Sequence, residues 1–246
     1  MGAIQLTSNH FAAAPAPDAL ADRLARLGRE AGVDDRQAVL PGPLRVFHQR
    51  LLGAFLIGTG PPDAPVVAVL AAELELDPPA ALATLAAADL VHTDPATGSL
   101  TVAYPFSGRP TPYRVDLAGG PAVFAMCAVD ALGIPQMLRR DGRISSVDPS
   151  SGQPITIEVH AGAWRFQPAT TVLLSGRTAD GDACDTAAEW CCPYINFHTG
   201  PEAADTYRRS HPDMTATLLS QAQAVQAARQ AFGGLLDPSN PQERAQ

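Results

Sequence analysis

The chain contains no lysine: all 17 of its basic residues are arginine, set against 25 acids for a formal charge of −8. That balance excludes a nucleic-acid backbone as the main partner, because phosphate binding is built on clustered Lys and Arg. No apolar run reaches the roughly 18 residues that a membrane-spanning helix requires. The first seventeen residues have neither a basic start nor a continuous apolar segment, so a secretory signal is not expected and a cytoplasmic location is. Cysteine is scarce as well, with one residue at each of positions 127, 184, 191 and 192. None of the spacings gives a C-x₂₋₄-C zinc knuckle, and in a reducing compartment so few thiols do not make a disulfide framework. All four stand in the second half, which places the chemistry there.

With 246 residues, 46% of them hydrophobic, the chain can bury one large core or two small ones. Residues 1–17, rich in Ala and Pro, are expected to form a disordered tail. Asp18 suits an N-cap for a helix bearing Leu20, Leu24 and Leu27, ending near Gly32. Pro43 opens a second helix with Leu44, Phe47, Leu51, Leu52 and Phe55 on one side. Short helices over 65–74 and 78–88 follow, then a hairpin from Leu90–Thr93 and Ser99–Tyr104. This order is that of a winged-helix-like module, assigned to 18–106 with a junction near 105–110. Between Gly60 and Gly108 there is no basic residue but six acids (Asp63, Glu73, Glu75, Asp77, Asp89, Asp94). A recognition helix without positive charge cannot grip phosphates, so the module is expected not to read DNA.

The second part, 107–234, is expected to be a catalytic α+β core with a mixed β-sheet and flanking helices, followed by a flexible tail over 235–246. Tyr113–Leu117 reads as a strand and Pro121–Pro135 as a short helix, started by Pro121 and stopped by Gly133 and Pro135. Strands follow at 142–147, 154–159, 170–174 and 194–197, rich in β-branched residues. A polar loop over 180–188 carries Cys184. Two helices are expected last, over 202–209 and 215–232, the second stopped by Gly233-Gly234.

On the 121–135 helix, Cys127 and Asp130 stand three apart and share a face. One is a soft nucleophile and metal ligand; the other can hold a proton. Cys191 and Cys192, on an extended segment, would point to opposite faces, so one of them is expected to join the site. A four-cysteine zinc site and a Cys-His-Asp hydrolase are further arrangements of the same residue types, and no motif supports either.

Three segments carry a resemblance to a known family. Met126-Cys-Ala-Val-Asp-Ala-Leu-Gly-Ile-Pro135, Gly142-Arg-Ile-Ser-Ser146 and Trp190-Cys-Cys-Pro-Tyr-Ile-Asn-Phe197 resemble, in order and spacing, the signature segments of organomercurial (alkylmercury) lyases. The likeness covers about residues 110–235. It implies a bacterial mercury-resistance enzyme that cleaves RHg⁺ by protonolysis to RH and Hg(II). Cys127 and Cys191 would be the essential mercury-binding thiols and Asp130 the proton handler and a ligand of product Hg(II). Cys192 would be a second, less essential thiol. The resemblance implies no redox or organic cofactor. It implies low-molecular-weight thiols or a mercuric reductase as acceptors of the metal. After Ser145-Ser146 some members carry a structural Cys where this chain has Val147-Asp-Pro-Ser150, and Cys184 has no family counterpart. Arg143, Phe124, Trp190 and Phe197 are candidate pocket residues. Mercury prefers thiolates, and two thiolates push electron density onto the bound carbon until a nearby acid can protonate it. The other readings are a binding protein that captures soft metals without cleaving the carbon bond, and a transcriptional regulator, which the missing basic residues disfavour.

Overall fold

The computed structural model describes residues 32–58, 60–178 and 186–237. The expected N-terminal tail, the helix expected between Asp18 and Gly32, Cys184 and residues 238–246 lie outside them. Four helices lead: α1 (Val33–Ala38), α2 (Gly42–Phe55), α3 (Ala64–Ala72) and α4 (Pro78–Ala87). Proline stands in the first turn of α2, α3 and α4, where its missing N–H costs nothing. The Asp63 and Asp77 carboxylates cap α3 and α4 by accepting from the Val66 and Ala80 N–H groups. On α2 the residues Phe47, Leu51, Leu52 and Phe55 are buried, one stripe at helical spacing.

The strands β1 (Val91–Thr93) and β2 (Leu100–Ala103) form the expected hairpin. The sheet does not end there. It continues through β3 (Phe106–Ser107), β5 (Ala122–Ala125), β4 (Arg114–Leu117), β6 (Gly142–Val147), β7 (Pro154–His160) and β8 (Ala163–Gln167), eight strands in the order β1-β2-β3-β5-β4-β6-β7-β8. A second sheet has the order β10-β9-β11, from β9 (Val172–Thr178), β10 (Ile195–His198) and β11 (Met214–Leu219). Each of these pairings is antiparallel. The expected mixed sheet is corrected accordingly: tight turns join most neighbours, and a parallel pair would need a long crossover. The remaining helices are α5 (Ala128–Leu138), α6 (Ala187–Trp190), α7 (Pro201–Ser210) and α8 (Gln221–Phe232). The class is α+β, and none of the described helices is long and apolar enough to cross a membrane.

Along β7 exposure and burial alternate, with Ile155, Ile157 and Val159 turned to the core, as a half-covered antiparallel strand requires. One core cluster holds Phe47 and Leu85 of the leading helices together with Phe106, Ile157 and Phe232. The Phe55 ring stacks on Phe106 with centroids 5.4 Å apart. Apolar burial therefore runs straight across the junction expected at 105–110.

Four local expectations change. The segment entering Cys127 is strand β5, and the helix starts after it with Cys127 as N-cap. That helix runs through Gly133 and Pro135 to Leu138, ending at Arg139 in the left-handed region (φ 51°). An interior proline costs about 3 kcal/mol. Burial of Leu132, Ile134 and Met137 on the same helix offsets this, at about 1.5–3 kcal/mol per fully buried side chain. Thr215–Leu219 belongs to β11, paired along β9, and α8 starts only at Gln221 with a Ser220–Gln223 capping box. Finally, β8 was not expected. It returns on β7 through a two-residue turn in which Ala161 and Gly162 both have positive φ (48° and 79°), the geometry of a type I′ hairpin.

Candidate active site

The end of β5 delivers Cys127 in an extended conformation (φ −147°, ψ −178°), and α5 begins one residue later. Cys127 is thus the N-cap and Asp130 the N3 residue, the two positions of a capping box, here with thiol and carboxylate. The Cys127 side chain makes no cap hydrogen bond of its own. The Asp130 carboxylate instead takes hydrogen bonds from the Cys127 thiol and the Cys127 N–H. Both side chains are almost wholly buried, and Asp130 Oδ2 has no hydrogen-bond partner.

The vicinal cysteines arrive from the other side. The four-residue α6 ends at Trp190, Cys191 follows it, and Cys192-Pro-Tyr194 forms a 3₁₀ turn leading into β10. Because this segment is coiled and not extended, Cys192 turns inward and is buried while Cys191 is half-buried. The Cys191 thiol donates to the Ala187 carbonyl at 3.4 Å. Cys192 is hydrogen-bonded to both Cys127 and Cys191. The structure therefore brings Cys127, Asp130 and Cys192 together, with ligand atoms all within 4.8 Å of one another. Cys191 stands one sulfur further out, on the wall of the same cavity.

Electrostatics in this pocket favour protons over charge. Burial pushes Asp130 up to about 7, against the lowering effect of its hydrogen bonds from Cys127. Burial likewise pushes the Cys127 thiol up to about 11, with the Asp130 charge adding to it and the Cys192 hydrogen bond opposing it. Cys192 is raised well above an ordinary thiol by its hydrogen bonds to Cys127 and Cys191 and by burial. A carboxylic acid that titrates near neutrality beside thiols can accept a proton from one and deliver it elsewhere.

The cavity beside the cluster has a volume of about 460 Å³. Its walls come from α1, α5, α6, α8 and the β9–β11 sheet, with Trp190, Val129, Ile195 and Phe232 as apolar lining. The Arg177 guanidinium stands 5.9 Å from the centre of the Trp190 ring. Of the candidate pocket residues, Trp190 lines this cavity. Phe197 is buried against Tyr113, Arg143 faces Glu158 on the sheet surface, and Phe124 sits in β5; none of the three lines it. Val147, in the segment where some family members carry a cysteine, is 47% exposed.

Two cavity-lining residues, Tyr104 and Arg36, were not anticipated, nor were their partners His92 and Asp89. Tyr104 is buried in the cavity wall and its hydroxyl meets His92 Nε2 at 3.1 Å. Its own ionisation is strongly suppressed by burial and by the nearby Cys192, Asp89, Asp130 and Cys191 charges. Arg36 lines the cavity from α1 and pairs with Asp89 at 2.6 Å. No local pattern marks them: Arg36 meets Asp89 across 53 positions, and Tyr104 meets His92 across 12.

Comparison with known proteins identifies the family. The family model for alkylmercury lyase matches residues 106–233. Alkylmercury lyase from Streptomyces lividans is 28% identical over 133 residues, covering 54% of this chain and 60% of that protein. The Pseudomonas putida enzyme is 30% identical over 105 residues, or 42% and 48% respectively. The chain thus spans about half the length of the relatives it matches. Among solved structures, the mercury-bound form of MerB2 superimposes with a TM-score of 0.66 at 19% identity, covering 89% of this chain and 98% of that one, which shows a shared fold. With more than half its length matched by the family model, from β3 through both cysteine segments to the end of α8, the chain belongs to the alkylmercury lyase family.

Proposed function

We propose that the protein cleaves the carbon–mercury bond of organomercurial cations, giving RH and a dithiolate-bound Hg(II). The observation that carries this reading is the buried Cys127–Asp130–Cys192 cluster, with Asp130 raised to about 7, opening on an apolar cavity next to a third thiol. Mercury enters as substrate. Cys191, on the cavity side, takes RHg⁺ first. The metal is then shared with Cys127, and Cys192, hydrogen-bonded to both, is the sulfur across which it passes. Asp130 accepts the Cys127 proton, which frees the thiolate, and delivers the same proton to the carbon that the sulfurs have made electron-rich. The partnerless Asp130 Oδ2 is the oxygen placed for that delivery, and it also reaches the Hg(II) left behind.

Low-molecular-weight thiols or a mercuric reductase are the acceptors that fit a dithiolate-bound product, and the cytoplasm is the compartment that keeps these thiols reduced. The helices and hairpin before residue 106 serve as a winged-helix-like cover for the site and not as a DNA reader. Their acids, and the absence of any basic residue between Gly60 and Gly108, support that role.

The direct test is headspace gas chromatography of the protein mixed with methylmercury and excess small thiol, with Cys127→Ser alongside. Methane over many turnovers from the wild type and none from the variant is expected. Tight mercury binding without methane would leave a soft-metal binding protein that lacks the reaction.

A further inference from the structure

We propose that Asp89, from the leading module, is the positioning residue for the Cys191–Cys192 pair; this rests on the lyase reading above, which makes that pair the entry point for mercury. A four-residue helix such as α6 cannot hold itself in water, and its first N–H groups need acceptors. Thr186, its N-cap, supplies no side-chain cap. The acceptor comes from 98 residues away: Asp89 Oδ2 takes the Ala187 N–H at 3.0 Å. The Ala187 carbonyl in turn takes the Cys191 N–H at 3.2 Å and the Cys191 thiol at 3.4 Å. Ala187 is therefore the single residue that links the Asp89 carboxylate to Cys191, the outer thiol of the proposed site.

Asp89 is itself held chiefly through Oδ2, and its buried Oδ1 has no hydrogen-bond partner. Arg36 Nη1 lies 2.6 Å from the oxygen that caps Ala187, and His92 Nε2 lies 3.1 Å from the other. The same His92 Nε2 also lies 3.1 Å from the Tyr104 hydroxyl in the cavity wall. The backbone at Asp89 has φ 51°, a left-handed conformation that Asp and Asn tolerate better than other side chains with a Cβ. Arg36, Ala187, Tyr104, Cys191 and Cys192 all line the one cavity. Asp89 touches no reacting atom in this arrangement; it acts through the Ala187 amide.

The test measures alkylation of individual thiols by iodoacetamide, mapped by mass spectrometry on the full chain in a Cys184→Ser background. Asp89→Ala removes both the cap and the ion pair. It should speed alkylation of Cys191 and Cys192 about tenfold while leaving Cys127 unchanged, and raise KM for methylmercury more than it lowers kcat. Asp89→Asn keeps an amide oxygen for Ala187 and suits the left-handed backbone, so it should restore most of the protection. Equal alkylation in wild type and Asp89→Ala, or an equal acceleration at Cys127, would overturn the proposal, the second by showing general loosening. If Asp89→Ala does not fold, Asp89→Asn and Arg36→Gln decide. A selective rise at Cys191 and Cys192 in Arg36→Gln, larger than in Asp89→Asn, supports the latch, and no change in either overturns it. The alkylation pattern does not depend on turnover. A wild type that released no hydrocarbon would remove the lyase reading and leave the latch to be judged separately.

Discussion

Replacing Asp130 by Asn should make the protein more stable at alkaline pH while abolishing its chemistry. The carboxyl titrates at about 7 in the fold, against an ordinary value of 3.8, because burial disfavours its charge. Between those two values the folded protein binds a proton that the unfolded chain has released. Wild-type stability therefore falls as pH rises through that window, and the loss is complete above pH 7. The difference between 3.8 and about 7 corresponds to about 4 kcal/mol. Asn does not ionise, so it escapes this cost, but it accepts the two Cys127 hydrogen bonds less well, at about 1 kcal/mol each. The net expectation is a variant about 2 kcal/mol more stable than wild type near pH 8. Near pH 4 it should be about 2 kcal/mol less stable, with the crossing at about pH 5.3, where half of the wild-type loss has accrued. For a chain of this length 2 kcal/mol is a shift of about 4–8 °C in Tm. Urea unfolding of both proteins at pH 4.5, 6 and 8 under reducing conditions measures it. Other carboxylates with lowered values, among them Asp89, Asp148 and Asp205, add their own pH dependence in the opposite sense. They do so equally in both proteins and cancel in the difference. A stability difference that stayed constant from pH 4.5 to 8 would refute the claim that Asp130 is held protonated by burial.

Cys191→Ser should lower kcat/KM for methylmercury by about a hundredfold or more, because it removes the entry ligand. Cys192→Ser should cost about tenfold, as for a residue that supports a ligand; the reverse order in steady-state assays would move the outer role to Cys192. Separately, Ser220→Ala removes one half of the capping box that starts α8. It should lower the unfolding free energy by about 1 kcal/mol in urea titration without changing mercury binding, and a loss of several kcal/mol would mean Ser220 has a further role.

Sequence alone carried the site's chemistry further than its geometry. Cys127 and Asp130 are near neighbours under either local structure, because N-cap and N3 are as close as two positions on one helical face. The expected helix start was nonetheless wrong: Ala122–Ala125 pairs with β3 and β4, and sheet partners cannot be read from a single segment. Gly133 and Pro135 read locally as a stop. In the fold Gly133 is where the ring of Phe232 rests on α5, and a Cβ there would overlap it, so tertiary packing holds a helix that local preference would end. Two local signals do mark true boundaries. Ser220 followed by Gln223 marks the true start of α8, and Ala161-Gly162 between two apolar-alternating runs marks the β7–β8 hairpin. The inward turn of Cys192 depends on the 3₁₀ geometry after α6, and α6 is fixed by a contact 98 residues away. No local pattern contains that.

The raised proton affinities of the cluster have a stoichiometric consequence for the reaction. At neutral pH Cys127 and Cys192 rest as thiols, and Asp130 is about half protonated. Holding Hg(II) as a dithiolate requires two sulfurs to give up their protons, and the departing hydrocarbon carries away only one. In the proposed reaction each first turnover on free RHg⁺ therefore acidifies the medium by one equivalent, with Asp130 returned to where it began, whereas RHg⁺ delivered as a small-thiol complex hands that second proton to the departing thiol. The grip on Hg(II) against water then tightens as pH rises, whereas transfer to two small thiols is proton-neutral near pH 7, because each acceptor gives up the proton that a protein sulfur regains.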